Sequence, residues 1–166
     1  MKKLLFLFAF LLSAGLQAQT NFNSWDEFRS TRFGFTMNYP DSWEVNEESN
    51  GNFTFHNPYV HLGVFRIIID DRGDSATAYN DLIRLAQENN GTGLNDYGNK
   101  KLLMYKSMII QDNVHLEVHH WVILVNSSLY RCSYTFDTNL RDAPNLVEEM
   151  KLAYQTMESL NFFTND

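Results

Sequence analysis

The stretch that decides the fold is residues 102–136, LLMYKSMIIQ-DN-VHLEVHHWVILV-NSS-LYRCSYTF. Three runs rich in Val, Ile, Leu, Tyr and Phe are separated by Asp112-Asn113 and by Asn126-Ser127-Ser128, connectors short enough for antiparallel hairpins. A meander of three long strands is therefore expected over 102–111, 114–125 and 129–136. The middle run is apolar on both of its faces. Leu116, Val118, Val122 and Leu124 share one side, and Trp121, Ile123 and Val125 the other. A sheet wetted on one side alternates more cleanly, so helices are expected over both faces.

Outward from the meander, the remaining pattern supplies those helices. Asp74 or Ser75 can cap a helix reaching about Asn90, with Tyr79, Leu82, Ile83 and Ala86 as its buried stripe and Asn90-Gly91 as its stop. A second helix is expected over 143–159, with Pro144 near its start and Val147, Met150, Tyr154 and Met157 on one stripe. Upstream, strands are expected at 33–39 (ended by Pro40), at Trp43–Asn46, at Asn52–His56 after the Asn50-Gly51 hairpin signal, and at 59–69. Ser24-Trp25-Asp26-Glu27 reads as a capping box opening a short helix. The fold class is α+β, an α/β/α sandwich around a central, mainly antiparallel sheet.

The N-terminus reads as a secretory leader. Lys2 and Lys3 precede an apolar run from Leu4 to Leu12, and small or polar residues lead to Ala18, after which cleavage is expected. That run is too short to cross a hydrocarbon core, which takes about 20 residues. No cysteine follows it to carry a lipid anchor. The expected organisation is a signal peptide over 1–18 and one domain over 19–166, free in the periplasm or secreted, with no transmembrane segment in the mature chain. The chain carries 13 Lys and Arg against 20 Asp and Glu, a net charge of −7. Such an acidic surface repels phosphate backbones, so no nucleic-acid partner is expected. Cys132 is the only cysteine, lies between Tyr130 and Tyr134 in an apolar strand, and reads as a buried, inert thiol.

Phe28-Arg29-Ser30-Thr31-Arg32-Phe33-Gly34-Phe35-Thr36-Met37-Asn38-Tyr39-Pro40-Asp41-Ser42-Trp43 resembles the opening of PsbP-like domains, where an aromatic strand ends in Tyr-Pro and a Trp starts the next strand. Met157-Glu158-Ser159-Leu160-Asn161-Phe162 resembles that family's close. The resemblance implies the α/β/α fold along the mature chain and a non-enzymatic module; it carries over no site residue.

Candidate sites are few. His115, Glu117 and His119 alternate on one strand and share a face, which suggests a zinc site. Yet residues i and i+4 on a strand lie about 13 Å apart. With Asp112-Asn113 as the loop, Ile110, Met108 and Lys106 are expected opposite His115, Glu117 and His119, and none of these is a ligand. Asp70, Asp71 and Asp74 gather three carboxylates that could suit calcium, without the spacing of an EF-hand loop. Trp25, Phe28, Glu47, Glu48 and Tyr97 are expected at exposed aromatic and acidic turns, and form the candidate partner surface. No Gly-x-Ser-x-Gly elbow, P-loop, His-Glu-x-x-His helix or dinucleotide fingerprint occurs, so no catalytic residue is assigned.

The sequence thus reads as a non-catalytic exported binding or assembly-accessory module whose partner is another cell-envelope protein or a small ligand. No cofactor is required. The alternatives are a periplasmic module binding zinc or calcium and a small hydrolase with an unrecognised site.

Overall fold

The computed structural model describes residues 24–48, 51–89, 94–98 and 100–163. The leader and its cleavage point, the Asn90-Gly91 stop and Asn50 of the Asn50-Gly51 signal lie outside these. The described chain runs β1 (Trp25–Ser30), β2 (Phe35–Pro40), β3 (Glu44–Glu47), β4 (Phe53–His56), β5 (Gly63–Asp71), α1 (Ser75–Glu88), β6 (Leu94–Tyr97), β7 (Lys100–Gln111), β8 (Val114–Val125), β9 (Ser128–Asp137), a 3-10 turn (Thr138–Leu140), α2 (Pro144–Glu158) and β10 (Asn161–Phe162). Seven strands form one sheet in the order β3-β4-β5-β9-β8-β7-β6, and β1-β2-β10 form a second, smaller one. Every pairing is antiparallel.

The meander forms as the sequence dictates. Ile110 pairs with His115, Met108 with Glu117 and Lys106 with His119, the register set by the two-residue loop. Trp121, Ile123, Tyr130, Cys132 and Tyr134 point to one face of the large sheet, where α2 and the small sheet bury them with Phe35, Met37, Phe65 and Met157. Leu103, Val122 and Leu129 point to the other, under Leu82 of α1.

Several expectations change. Ser24–Glu27 opens no helix: Trp25 to Ser30 pair with Pro40 to Phe35 as strand β1. Pairing lays six residues of β1 along β2, with alternate residues hydrogen-bonded, and sends Phe28 in among Phe35, Phe53 and Phe55, a gain that a local capping signal cannot match. The strand expected from 59 begins at Gly63, because the Asn57 side chain accepts the Tyr59 amide at 2.9 Å and His61 takes a φ of 45°. Both helices keep part of their expected stripes, with Leu82 and Met157 buried and Ala86, Met150 and Tyr154 packed against the core, but each stripe loses its first residue to solvent. α1 buries Ala78 and Leu82 and exposes Tyr79, while α2 buries Leu146, Glu149, Ala153 and Met157 and exposes Val147. In α2 the cause is Glu149, a charged residue on the buried face that an apolar pattern cannot reveal.

Cover on the large sheet is unequal. α1 caps only the end near the β8–β9 turn. Towards the β7–β8 turn no helix among the described residues covers the same face: Val118 is buried there, but Val64, Arg66 and Ile109 are exposed and Ser107, Leu116, Ser133 and Thr135 half-buried. Among the described residues the sandwich is therefore complete over part of the large sheet only.

Candidate functional site

Glu117 and His119 do come together. Two residues apart on β8, they point to the same face, and Nε2 of His119 lies 2.7 Å from Oε1 of Glu117. Arg141, just after the 3-10 turn, donates to the other Glu117 oxygen, and Nζ of Lys106 stands 3.7 Å from Oε1. Burial pushes the Glu117 carboxyl up, but the hydrogen bonds from His119 and Arg141 outweigh it and hold it below its ordinary value. Burial is the largest cause lowering the His119 imidazole, the Lys106 charge adds to it, and Glu117 opposes both. His115 sits exposed near the hairpin tip, outside this group. The carboxylate is thus surrounded by donors, an arrangement that serves an ion-pair network on the strand.

The three aspartates are also divided. Asp70 and Asp71 are adjacent on β5 and face opposite sides. Asp70 accepts from Arg131 at 3.1 Å and from Arg72 at 3.4 Å. Asp71 accepts from the Gly73 amide and the Ser127 hydroxyl, each at 3.0 Å, and these bonds lower its carboxyl. Asp74 is the N-cap of α1 and accepts the Thr77 amide at 2.8 Å and its hydroxyl at 2.7 Å. Among the described residues no group of three or more His, Cys, Asp or Glu side chains is placed to hold one metal ion.

The five residues expected at one exposed partner surface stand apart. Glu47 ends β3 and Tyr97 ends β6, the strands at opposite edges of the large sheet. Glu48 is half-buried and lies 3.8 Å from Arg66. The exposure expected of the aromatics is corrected: Trp25, Phe28 and Tyr97 pack half-buried against the core. Phe28 meets the Phe53 ring at 5.0 Å, and the Tyr97 hydroxyl donates to the carbonyl of Glu158 at 2.8 Å, where α2 ends. Their rings are apolar bodies that the neighbouring strand or helix end covers, and sequence alone does not show that neighbour.

What the sequence did not reveal is the end of the sheet that α1 does not cover. A cleft of about 350 Å³ opens there between Val64, Arg66, Ile109, Leu116, Thr135 and Leu140. These residues come from β5, β7, β8, β9 and the 3-10 turn, so only the strand order brings them together. A second cleft, about 360 Å³, lies at the β7 edge beside Asn89, Tyr105, Lys106, His119, His120 and Tyr154. His120 stacks on Tyr105 with ring centroids 4.3 Å apart, and its Nε2 lies 2.9 Å from the Ser107 hydroxyl.

A serine beside a histidine invites a nucleophile–base reading, which electrostatics argues against. Burial, then the charges of Arg131 and His119, bring His120 down to about 4. A general base works best with a pKa near the operating pH, and this ring is far too weak a base at neutral pH. Cys132 is fully buried, and burial pushes its thiol up, away from the reactive thiolate.

No curated protein matches the chain. Among solved structures, a protein from Bacteroides thetaiotaomicron VPI-5482 is 24% identical with a TM-score of 0.66, covering 84% of this chain and 48% of that one. The chain thus spans about half the length of that relative. LpqN of Mycobacterium tuberculosis, described as involved in cell envelope biogenesis, is 12% identical with a TM-score of 0.52, covering 85% and 91%. The cyanobacterial PsbP of Synechocystis sp. PCC 6803 is 11% identical over 87% of this chain and 96% of its own, with a TM-score of 0.42, too low to carry an argument. The order of strands, helix, three-strand meander and helix around mainly antiparallel sheets is the α+β arrangement expected from the sequence. Matched over residues 23–161, the chain belongs to the family described as a domain of unknown function, DUF3805.

Proposed function

We propose that this protein is an exported, non-catalytic binding module that receives another cell-envelope protein or a small ligand on the part of its sheet that α1 does not cover. The observation that carries this reading is the cleft of about 350 Å³ among Val64, Arg66, Ile109, Leu116, Thr135 and Leu140. Strands buried on one side normally present polar residues to water on the other, and apolar side chains left on that side mark contact surfaces. Arg66 at the rim supplies a cation that can orient a polar or anionic group of the partner. The secretory pattern of the first eighteen residues supports the exported address. LpqN, of similar fold, is described by a role in the cell envelope, in keeping with that address.

The test is paired capture from cell-envelope extract with the purified protein and its Val64→Glu variant, read by quantitative mass spectrometry. Val64 is exposed, so the variant is expected to melt within about 2 °C of the wild type, as surface changes do. A protein retained by the wild type and lost with Val64→Glu supports the reading. Identical retention by both removes this face as the binding surface.

A further inference from the structure

The two edges of the large sheet are built differently. β3 is four residues long and carries Glu44 and Glu47, the short and charged form that discourages pairing. At the other edge β6 covers only Lys100–Leu103 of β7. Beyond it, among the described residues, no strand lies along the outer side of Tyr105–Gln111. That window holds one charge, Lys106, and no carboxylate. It also holds Met108, Ile109 and Ile110, which are 56%, 44% and 68% exposed. A long edge of this composition is a template for pairing.

The β7–β8 turn fixes which backbone groups face outward. Asp112 and Asn113 have φ of 49° and 65°, the signature of a two-residue type I′ loop. The residues flanking such a loop, Gln111 and Val114, exchange both of their hydrogen bonds with each other. Alternation along the ladder then turns the amides and carbonyls of Gln111, Ile109, Ser107 and Tyr105 towards β8. Those of Ile110, Met108 and Lys106 turn outward.

We propose that this edge pairs with the same edge of a second copy of the chain, antiparallel across a two-fold axis through Met108. In that register Met108 lies opposite Met108 of the second copy, and Lys106 lies opposite its Ile110. The three outward-facing residues of each copy are matched, giving six main-chain hydrogen bonds. Neighbouring registers fit less well. Centring on Ser107 would drive Gln111 of the second copy opposite Leu103, into the place Leu94 holds. Centring on Lys106 would set two lysines against each other, a destabilising pair. Centring on Ile109 would leave only four of the hydrogen bonds. Charge singles out this edge for a second copy: two chains of net charge −7 repel over most of their surface, but this window meets its counterpart without a carboxylate on either side.

A cysteine at the axis tests the register. In a hydrogen-bonded antiparallel pair the Cα atoms are about 5.5 Å apart, within disulfide range. Gln111, by contrast, would lie six residues from its own counterpart, about 20 Å. The native Cys132 is buried and does not compete. Met108→Cys is expected to give a disulfide-linked dimer on mild oxidation, and Gln111→Cys to stay monomeric. Sedimentation equilibrium should show a concentration-dependent dimer for the wild type, weakened at least about tenfold by Met108→Pro. Proline there removes an outward donor and leaves the β7–β8 hydrogen bonds intact. Should Met108→Pro fold poorly, Met108→Lys places like charges at the axis and is expected to weaken the dimer in the same way. A wild type monomeric at every concentration overturns the proposal, as does a dimer that survives Met108→Lys. Equal cross-linking through Met108→Cys and Gln111→Cys overturns it too. If the wild type stays monomeric but retains an extended peptide from envelope extract in a Met108-dependent manner, the edge belongs to a foreign strand and the self-pairing is refuted.

Discussion

Trp43 and Glu149, 106 residues apart in the chain, meet in the core, where the indole Nε1 donates to Oε2 of Glu149 at 3.2 Å. Asn57 Nδ2 donates to the other oxygen at 3.3 Å. One carboxylate on α2 thereby ties the start of β3 and the loop after β4 to the helix layer. Burial pushes the Glu149 carboxyl above its ordinary value, with the Asn57 and Trp43 hydrogen bonds opposing. A carboxyl raised in the folded state stabilises the fold fully below its unfolded pKa, and that contribution is lost as pH rises through the folded pKa. Stability referenced to a Glu149→Gln variant should therefore decline from the ordinary carboxylate range upward. Glu149→Ala removes the acceptor for both donors and is expected to cost about 2–4 kcal/mol. Urea unfolding of wild type, Glu149→Gln and Glu149→Ala across pH checks both points, and equal stability of the alanine variant would show that the contacts do not hold the layers together.

The same residue shows why the sequence was legible only in part. The meander could be read because hairpin loops and apolar runs are local, and its register followed from Asp112-Asn113 alone. Glu149 could not be placed, because its partners Trp43 and Asn57 are distant and a buried acid looks like an exposed one in a helical pattern. The same holds for β1, whose pairing with β2 is not encoded in Ser24–Glu27. The cleft has no sequence signature, because its lining residues share no segment, only neighbouring strands.

Gly63 makes a sharper packing prediction. A Cβ at this position would stand 2.5 Å from Cζ and the hydroxyl of Tyr134 and 2.8 Å from the Thr135 carbonyl oxygen. Tyr134 is buried and cannot swing aside freely. Gly63→Ala should destabilise by about 1–3 kcal/mol, the usual cost of overpacking. Adding Tyr134→Leu should recover part of that loss, and thermal melts of the double-mutant cycle will measure the coupling. Strict additivity of the two changes would mean the ring is not the obstacle.

Metal addition distinguishes the ion-pair reading of Glu117 from a zinc site. His119, Arg141 and Lys106 already surround the carboxylate. Asp70, Asp71 and Asp74 are likewise engaged by Arg131, Ser127 and Thr77. Saturating a native-state site at one hundred times its dissociation constant would stabilise the fold by ~2.7 kcal/mol. Zinc or calcium is expected to leave the melting temperature of the wild type unchanged. A rise with zinc that Glu117→Gln abolishes would establish the metal site instead.

His120 gives a pH dependence of the opposite sign to Glu149. Its ring lies between Tyr105, stacked at 4.3 Å, and the Ser107 hydroxyl, and Arg131 and His119 are its charged neighbours. Burial first, then those charges, lower its pKa to about 4 from an ordinary 6.5. A lowered histidine makes the folded state bind fewer protons than the unfolded chain between those two values. Stability is therefore full above the unfolded pKa and falls as pH drops from 6.5 towards 4. Allowing for solvent screening of a partly exposed ring, the loss is about 1–2 kcal/mol. His120→Phe keeps the stacking on Tyr105 and removes the titration, so its unfolding free energy should change less between pH 7 and pH 4.5 than that of the wild type, by about 1 kcal/mol or more. Chemical-shift titration of the ring gives the second readout: a midpoint near 6.5 would show that the imidazole is solvated and that its contacts with Tyr105 and Ser107 do not form.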